Sequence, residues 1–404
     1  MKKNVIWNTA GTLVYCLCQW LITILVVHID SYGAAGYLSI AMTTSSSFSA
    51  ISLFSMRNYQ VSDVKGEFSA NEYVGSRVLT SIIALITCSI SAFVGNGIYQ
   101  VMCVIAFMLV RVAEAFVDVL HGENQKFDRY DYIGKSYILR GIATISSFSI
   151  GLYVSHDLPI TLFAMAIINL LIAWFYDWTK TSKLEEIHPV IWNNQVFQLL
   201  ERCAPLVVFT FLLSLENLIP KYVVKADLGA NALGVYSSIA APTLIIQVCA
   251  SVIYSPFLPG MSVLYTDGDY KSFGKKIHSL YILLVGFSLV VTLGAIVLGR
   301  WGLQLLFGKG ILASYELFMP IVWVTIMTAM IWIVSSLLIA IRQIIWLLIG
   351  IIVDFFICLV FVQPCVDKYG SNGISVVQII VYAIFVIYMV CVCEITLYRK
   401  QKKG

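Results

Sequence analysis

Three ionisable residues, Arg111, Glu114 and Asp118, stand inside an otherwise apolar stretch. Spacings of three and seven residues put all three on one face of a helix. Charge is costly at membrane depth, so this face is predicted to line a cavity or meet another helix rather than lipid. Guanidinium groups bind phosphate oxygens in bidentate fashion and stay charged when partly buried. The plainer reading is a local Arg111–Glu114 ion pair that only holds helices together. Arg57, Arg77 and Arg140 fall near the ends of neighbouring apolar segments, on the side from which Arg111 is a few turns deep. Together the four are candidates for a basic vestibule that binds an anion. Taken singly, Arg57, Arg77 and Arg140 also suit anchors whose charges reach lipid headgroups.

Carboxylates form the second candidate set: Asp63, Glu114, Asp118, Glu216 and Asp354. Asp354 sits mid-segment in Ile352-Val353-Asp354-Phe355-Phe356, and Glu216 precedes Asn217. A carboxylate at depth either pairs with a cation or holds a proton. Both states suit proton or sodium coupling, and a hydrogen bond between helices explains such residues equally well. Catalytic signatures are absent. Gly308-Lys309-Gly310 lacks the spacing and the Ser/Thr of a phosphate-binding loop. The five His and ten Cys form no metal-ligand pattern, and no cofactor is expected. Trp7, Trp178, Trp192 and Trp301 near segment ends read as an aromatic belt.

The elements that must position these groups follow from composition. The 404 residues are 59% hydrophobic and 12% charged, against about 25% charged in soluble domains. Lipid must therefore be the main solvent, and nucleic acid is not expected as a partner. Apolar runs recur near 8–28, 34–56, 76–94, 98–120, 136–155, 158–178, 203–220, 232–259, 278–299, 313–340, 344–363 and 374–397. Each can cross a hydrocarbon core of about 30 Å as a helix. The predicted fold class is an all-α integral membrane protein of about 12 transmembrane helices. Pro242 and Pro256 are candidate kink points.

Twelve crossings put both termini on one side. Of the 26 Lys and Arg, 20 fall in loops and flanks on that side; Lys221, Lys225, Arg300, Lys309 and Lys368 fall opposite, and Arg111 lies within a span. This asymmetry predicts cytoplasmic termini. Near the midpoint, a charged connection leads through Pro189 into an amphipathic run, Trp192–Leu200. The run reads as an interfacial helix, or else as the start of the seventh span. The expected division is a six-helix bundle over 1–178, a cytoplasmic linker over 179–202 and a second six-helix bundle over 203–404. Asp30-Ser31-Tyr32-Gly33-Ala34 and Asp227-Leu228-Gly229-Ala230 open corresponding segments of the two halves, and each is followed by Gly, Tyr, Ser and Ile-Ala. An even number of spans per half suits parallel repeats; a shared preference at helix starts is the alternative.

Two stretches carry a family resemblance. Arg57-Asn58-Tyr59-Gln60-Val61-Ser62-Asp63, and Gly122 through Ser136 with Arg140-Gly141 beyond, resemble motifs of bacterial polysaccharide-unit flippases of the Wzx type. Gly36-Tyr37-Leu38-Ser39-Ile40-Ala41 is similar to the same family's second helix. The specific likeness lies within residues 30–141, and the second half matches in pattern alone. The resemblance implies the multidrug/oligosaccharidyl-lipid/polysaccharide exporter fold, MATE-like, with two six-helix bundles facing a cavity that alternates its access. It implies an undecaprenyl-diphosphate-linked oligosaccharide as substrate, flipped across the bacterial cytoplasmic membrane for O-antigen or capsule synthesis. Membrane lipids and other polysaccharide assembly proteins would be partners.

Two other classes compete. A multidrug or metabolite antiporter of the same fold would need a more apolar or acidic cavity than these arginines make. A membrane glycan polymerase would need a sizeable outward loop. The charge asymmetry generates the first prediction. Reporter fusions near residues 95, 156 and 368 should read as exterior, and fusions near 65, 190 and 272 as cytoplasmic. Two or more reversals would contradict the twelve-span topology.

Overall fold

The computed structural model describes residues 2–63, 66–254 and 257–402, and every regular element among them is helical. The chain divides into two compact units, Met1–Leu218 and Ile219–Gly404. The first contains α1 (Lys2–Ile29), α2 (Tyr32–Leu53), the short α3 (Met56–Ser62), α4 (Ala70–Ala92), α5 (Ile98–Lys126), α6 (Tyr130–Ser155) and α7 (Leu158–Ile172). A π turn over Ala173–Trp178 extends α7 to Thr181. Helix α8 (Asn194–Ala240) runs through the unit boundary. The second unit continues with α9 (Leu244–Tyr254), α10 (Phe257–Thr266), α11 (Tyr270–Phe307), α12 (Phe318–Ala340), α13 (Ile344–Tyr369) and α14 (Gly373–Gln401).

Among the described residues, eight helical stretches are long and apolar enough to cross a membrane. Two of them, Asn194–Ser251 and Ile344–Gln401, run for 58 residues each. A straight helix of that length would span about 87 Å at 1.5 Å per residue, far beyond the hydrocarbon core. Each is broken where a glycine leaves helical geometry, at Gly229 (φ 87°, ψ 170°) and at Gly370 (φ 58°). Division at these glycines yields ten crossings, and α2 and α5 bring the number to twelve. The chain is a multi-pass membrane protein.

Helices α2 and α5 turn polar side chains inward. Thr44, Ser45, Ser47 and Ser52 of α2 are buried. Ser45 Oγ donates to the Ala41 carbonyl at 2.7 Å, and Ser47 Oγ to the Thr43 carbonyl at 3.0 Å, so these hydroxyls cost little inside the unit. Helix α5 lies at the centre of the first unit, packed on α2, α4 and α7. By contrast, α11 turns Leu289, Val290, Leu293 and Val297 outward, an apolar surface suited to lipid.

Local chemistry fixes the helix starts. Ser31 caps α2 through Ala34 N, Ser69 and Glu72 form a capping box on α4, and Asp157 accepts from Ile160 N at the start of α7. Helices α1 and α6 cross at Gly11 and Gly134, where a Cβ on Gly134 would stand 2.0 Å from the Trp7 carbonyl oxygen. The connection after α7 clasps α4: His188 N donates to Asn71 Oδ1 at 2.7 Å and Val190 N to the Asn71 carbonyl at 3.1 Å.

The run Trp192–Leu200 is not a separate interfacial helix. Helix α8 begins at Asn194 and stays helical until Gly229, so the run opens the seventh span. Pro242 lies in a 3-10 turn, Ala241–Thr243, that interrupts the eighth span. Pro256 lies outside the described residues.

Candidate functional site

Arg57, Arg77, Arg111 and Arg140 all belong to the first unit, on α3, α4, α5 and α6. Asp118 joins two of them. Arg57 Nη1 donates to its Oδ1 at 3.0 Å and Arg77 Nη2 to its Oδ2 at 3.1 Å. Arg77 Nη1 also reaches the Ser52 carbonyl at 2.7 Å, beside the left-handed turn at Phe54 and Ser55 that ends α2. One carboxylate therefore ties α3, α4 and α5 together at the end of α2. Arg111 pairs with Glu114, Nη1 to Oε2 at 2.5 Å, and its Nη2 donates to Ser46 Oγ at 3.1 Å. The Tyr15 hydroxyl donates to the other Glu114 oxygen, and Gln19 donates to Tyr15 at 3.0 Å. The local ion pair read from the spacing is present, and α1 and α2 extend it.

Exposure divides the arginines. The Arg57 and Arg111 side chains are 27% and 22% exposed, whereas Arg77 is fully buried. Arg140 is buried as well. Its Nε donates to Asn169 Oδ1 at 3.3 Å, and the guanidinium lies over the Tyr15 ring at 5.6 Å. Asn169 is aimed by its own bonds to Thr144 Oγ1 and the Met165 carbonyl. Among the described residues, Arg140 forms no ion pair. Three of the four guanidinium groups thus meet two carboxylates, Asp118 and Glu114, and with Arg140 on a neutral amide the set carries a formal surplus of two positive charges. Arg57 and Arg111 are the accessible cations, and Arg77 and Arg140 hold the helices around them.

Asp63 does a different job. Its carboxylate accepts from Glu67 N at 2.9 Å, Phe68 N at 3.0 Å and the Tyr73 hydroxyl at 3.1 Å, closing the loop between α3 and α4. Partial burial pushes its pKa up, but the two backbone donors and Tyr73 outweigh that and hold it below the usual value. Asp354, on α13 of the second unit, is 2% exposed, and neither of its carboxylate oxygens has a hydrogen-bond partner among the described residues. Glu216 is fully buried on α8.

Sequence reasoning missed a third pair. His121 Nε2 lies 3.2 Å from Asp177 Oδ1, and both residues are buried. The π turn carries Asp177 to this position, and π turns often mark functional sites. An aspartate within the apolar run Trp174-Phe175-Tyr176-Asp177-Trp178 was the available signal.

The helix order and pairing define the fold of MATE-like membrane transporters. No family model matches the chain. A capsular polysaccharide biosynthesis protein, CapF of Staphylococcus aureus, is 28% identical over 319 residues, covering 76% of this chain and 78% of CapF. An inward-facing multidrug resistance transporter of the MATE family in the MOP superfamily superposes with a TM-score of 0.72 at 13% identity, over 99% of both chains. The lipid II flippase MurJ in an inward closed conformation gives 0.71 at 13% identity, over 96% of this chain and 87% of MurJ. These solved relatives are transporters and flippases, and the likeness to them is one of fold.

The geometry at Asp118 makes a stability prediction. Asp118→Ala strands the buried Arg77 charge and should cost about 3 kcal/mol, read as a lowered melting temperature in detergent. Adding Arg77→Met should restore much of the loss, and adding Arg57→Met should not, because water reaches Arg57. An unchanged melting temperature in Asp118→Ala would contradict this account.

Proposed function

We propose that this protein flips a lipid-diphosphate-linked oligosaccharide, carried on undecaprenyl, from the cytoplasmic to the outer leaflet of a bacterial cytoplasmic membrane. Both termini would lie in the cytoplasm, and the product would feed capsule or O-antigen assembly, alongside other polysaccharide assembly proteins. The observation that carries this reading is the arginine set on α3 to α6, with Arg57 and Arg111 partly open and each engaged by a carboxylate. A diphosphate carries about two negative charges, and taking it through an apolar core without a partner is prohibitive. Guanidinium groups already held by Asp118 and Glu114 are oriented to receive it. The carboxylates occupy the cations when substrate is absent, and exchange for phosphate lets the site bind without trapping. The capsular relative and the lipid II flippase fold support the substrate class.

Arg111→Ala should abolish flipping while expression and membrane insertion persist. Arg111→Lys should recover it only in part, since an ammonium keeps the charge and loses the fork geometry. Full activity in Arg111→Ala would remove the phosphate clamp from the account. Loss of folded protein, restored by neutralising Glu114, would make the pair structural. For coupling, the reading assigns a proton or sodium ion to Asp354, whose two buried oxygens lack hydrogen-bond partners among the described residues, with Glu216 as the second candidate. Asp354→Asn should insert normally and lose dependence on the ion gradient. Unchanged gradient dependence in both Asp354→Asn and Glu216→Gln would make these carboxylates structural.

A further inference from the structure

We infer that His121 and Asp177 form a proton-binding dyad whose occupancy is linked to anion binding at the arginine cluster. The inference rests on the anion-binding reading above and adds a second ligand, the proton, at a site of its own.

The dyad is buried, and each partner is left half satisfied. His121 Nε2 and Asp177 Oδ1 meet at 3.2 Å, while His121 Nδ1 and Asp177 Oδ2 have no hydrogen-bond partner among the described residues. With Asp177 Oδ1 as the acceptor, Nε2 carries the hydrogen of the neutral ring and Nδ1 presents a bare lone pair. A purely structural histidine would be expected to use that nitrogen, because an orphaned buried acceptor costs free energy. Nδ1 is the atom that takes the proton. Imidazole is the side chain suited to gain and release one near neutral pH.

The surroundings connect this proton to the anion site. From α6, the Tyr137 ring forms a T-shaped pair with His121, centroids 5.0 Å apart, and Arg140 stands one turn further along. From α3, Arg57 is the other cation in electrostatic reach. On α4, Arg77 is neutralised through Asp118, which lies one turn from His121 on α5 itself. The turn after α7 supplies Asp177. Contacts then lead from His121 through Tyr137 to Tyr15, ring to ring at 5.4 Å, and on through Glu114 to Arg111. An imidazolium here is opposed first by burial and then by Arg57 and Arg140, and is favoured by Asp177. An anion bound on the guanidinium groups weakens that opposition, so anion binding and proton uptake favour each other. One proton enters at Nδ1, and no bond other than N–H forms or breaks.

The test is isothermal calorimetry of farnesyl diphosphate binding to the full-length protein in nanodiscs, between pH 6 and 8, in buffers of different ionisation heat. The wild type should take up a fraction of a proton beyond that taken up by His121→Gln. Its affinity should fall more steeply as pH rises, by up to about tenfold per pH unit for one linked proton. Asp177→Asn keeps the imidazole without its anionic partner and should move the uptake to lower pH. If His121→Gln fails to fold, Asp177→Asn carries the test alone. Equal uptake in all the proteins overturns the dyad and leaves the clamp standing. Absence of binding by every protein overturns the anion-binding reading and the linkage with it.

Discussion

A permanent positive charge inside a bundle of membrane helices has to be met by a carboxylate or a carbonyl, because lipid offers neither. Arg77 is where that constraint acts most strongly in the first unit. Its guanidinium is fully buried and is held by Asp118 of α5 and the carbonyl of Ser52 on α2. Meeting that one charge fixes how α2, α4 and α5 approach each other. It also sets the turn at Phe54 and Ser55 and the position of α3, from which Arg57 reaches the same carboxylate. Outside this network the inward face of α2 carries hydroxyls that bond back to its own helix, Ser45 to the Ala41 carbonyl and Ser47 to the Thr43 carbonyl.

The same constraint governs the two partly open arginines. Buried arginines cannot be left bare, so the protein satisfies Arg57 and Arg111 with its own carboxylates. Both side chains nevertheless keep about a quarter of their surface open. On the proposed function, a diphosphate arriving there would take up guanidinium donors that these carboxylates hold in its absence, and its charge would offset the surplus of the arginine set. Arg140, with a neutral amide as its partner, supplies positive potential without entering the exchange. Asp63 stands apart from this work, closing a loop with backbone donors.

Much of this was legible in the sequence for definite reasons. The apolar runs report the lipid around the chain, so the spans and the breaks between them could be read from the sequence. Gly229 and Gly370 fall in the gaps between the runs 203–220 and 232–259 and between 344–363 and 374–397. The face of Arg111, Glu114 and Asp118 followed from helical periodicity. Partner choice did not follow. Asp118 lies 41 residues from Arg77 and Tyr15 lies 99 residues from Glu114, and only the rotation and depth of packed helices bring them together. The same holds for His121 and Asp177, since the π turn that re-aims Asp177 leaves no periodic trace. The run Trp192–Leu200 was ambiguous because an interfacial helix and the wetted first turns of a span share one pattern.

The central claim is that a lipid-diphosphate-linked sugar crosses the membrane through this protein. Analysis of the lipid-linked intermediates in a deletion strain tests it most directly. The account predicts that repeat units on the lipid diphosphate accumulate and fail to reach the outer leaflet, and that the wild-type gene restores their transfer. Normal appearance of those units at the outer leaflet without the protein would contradict it.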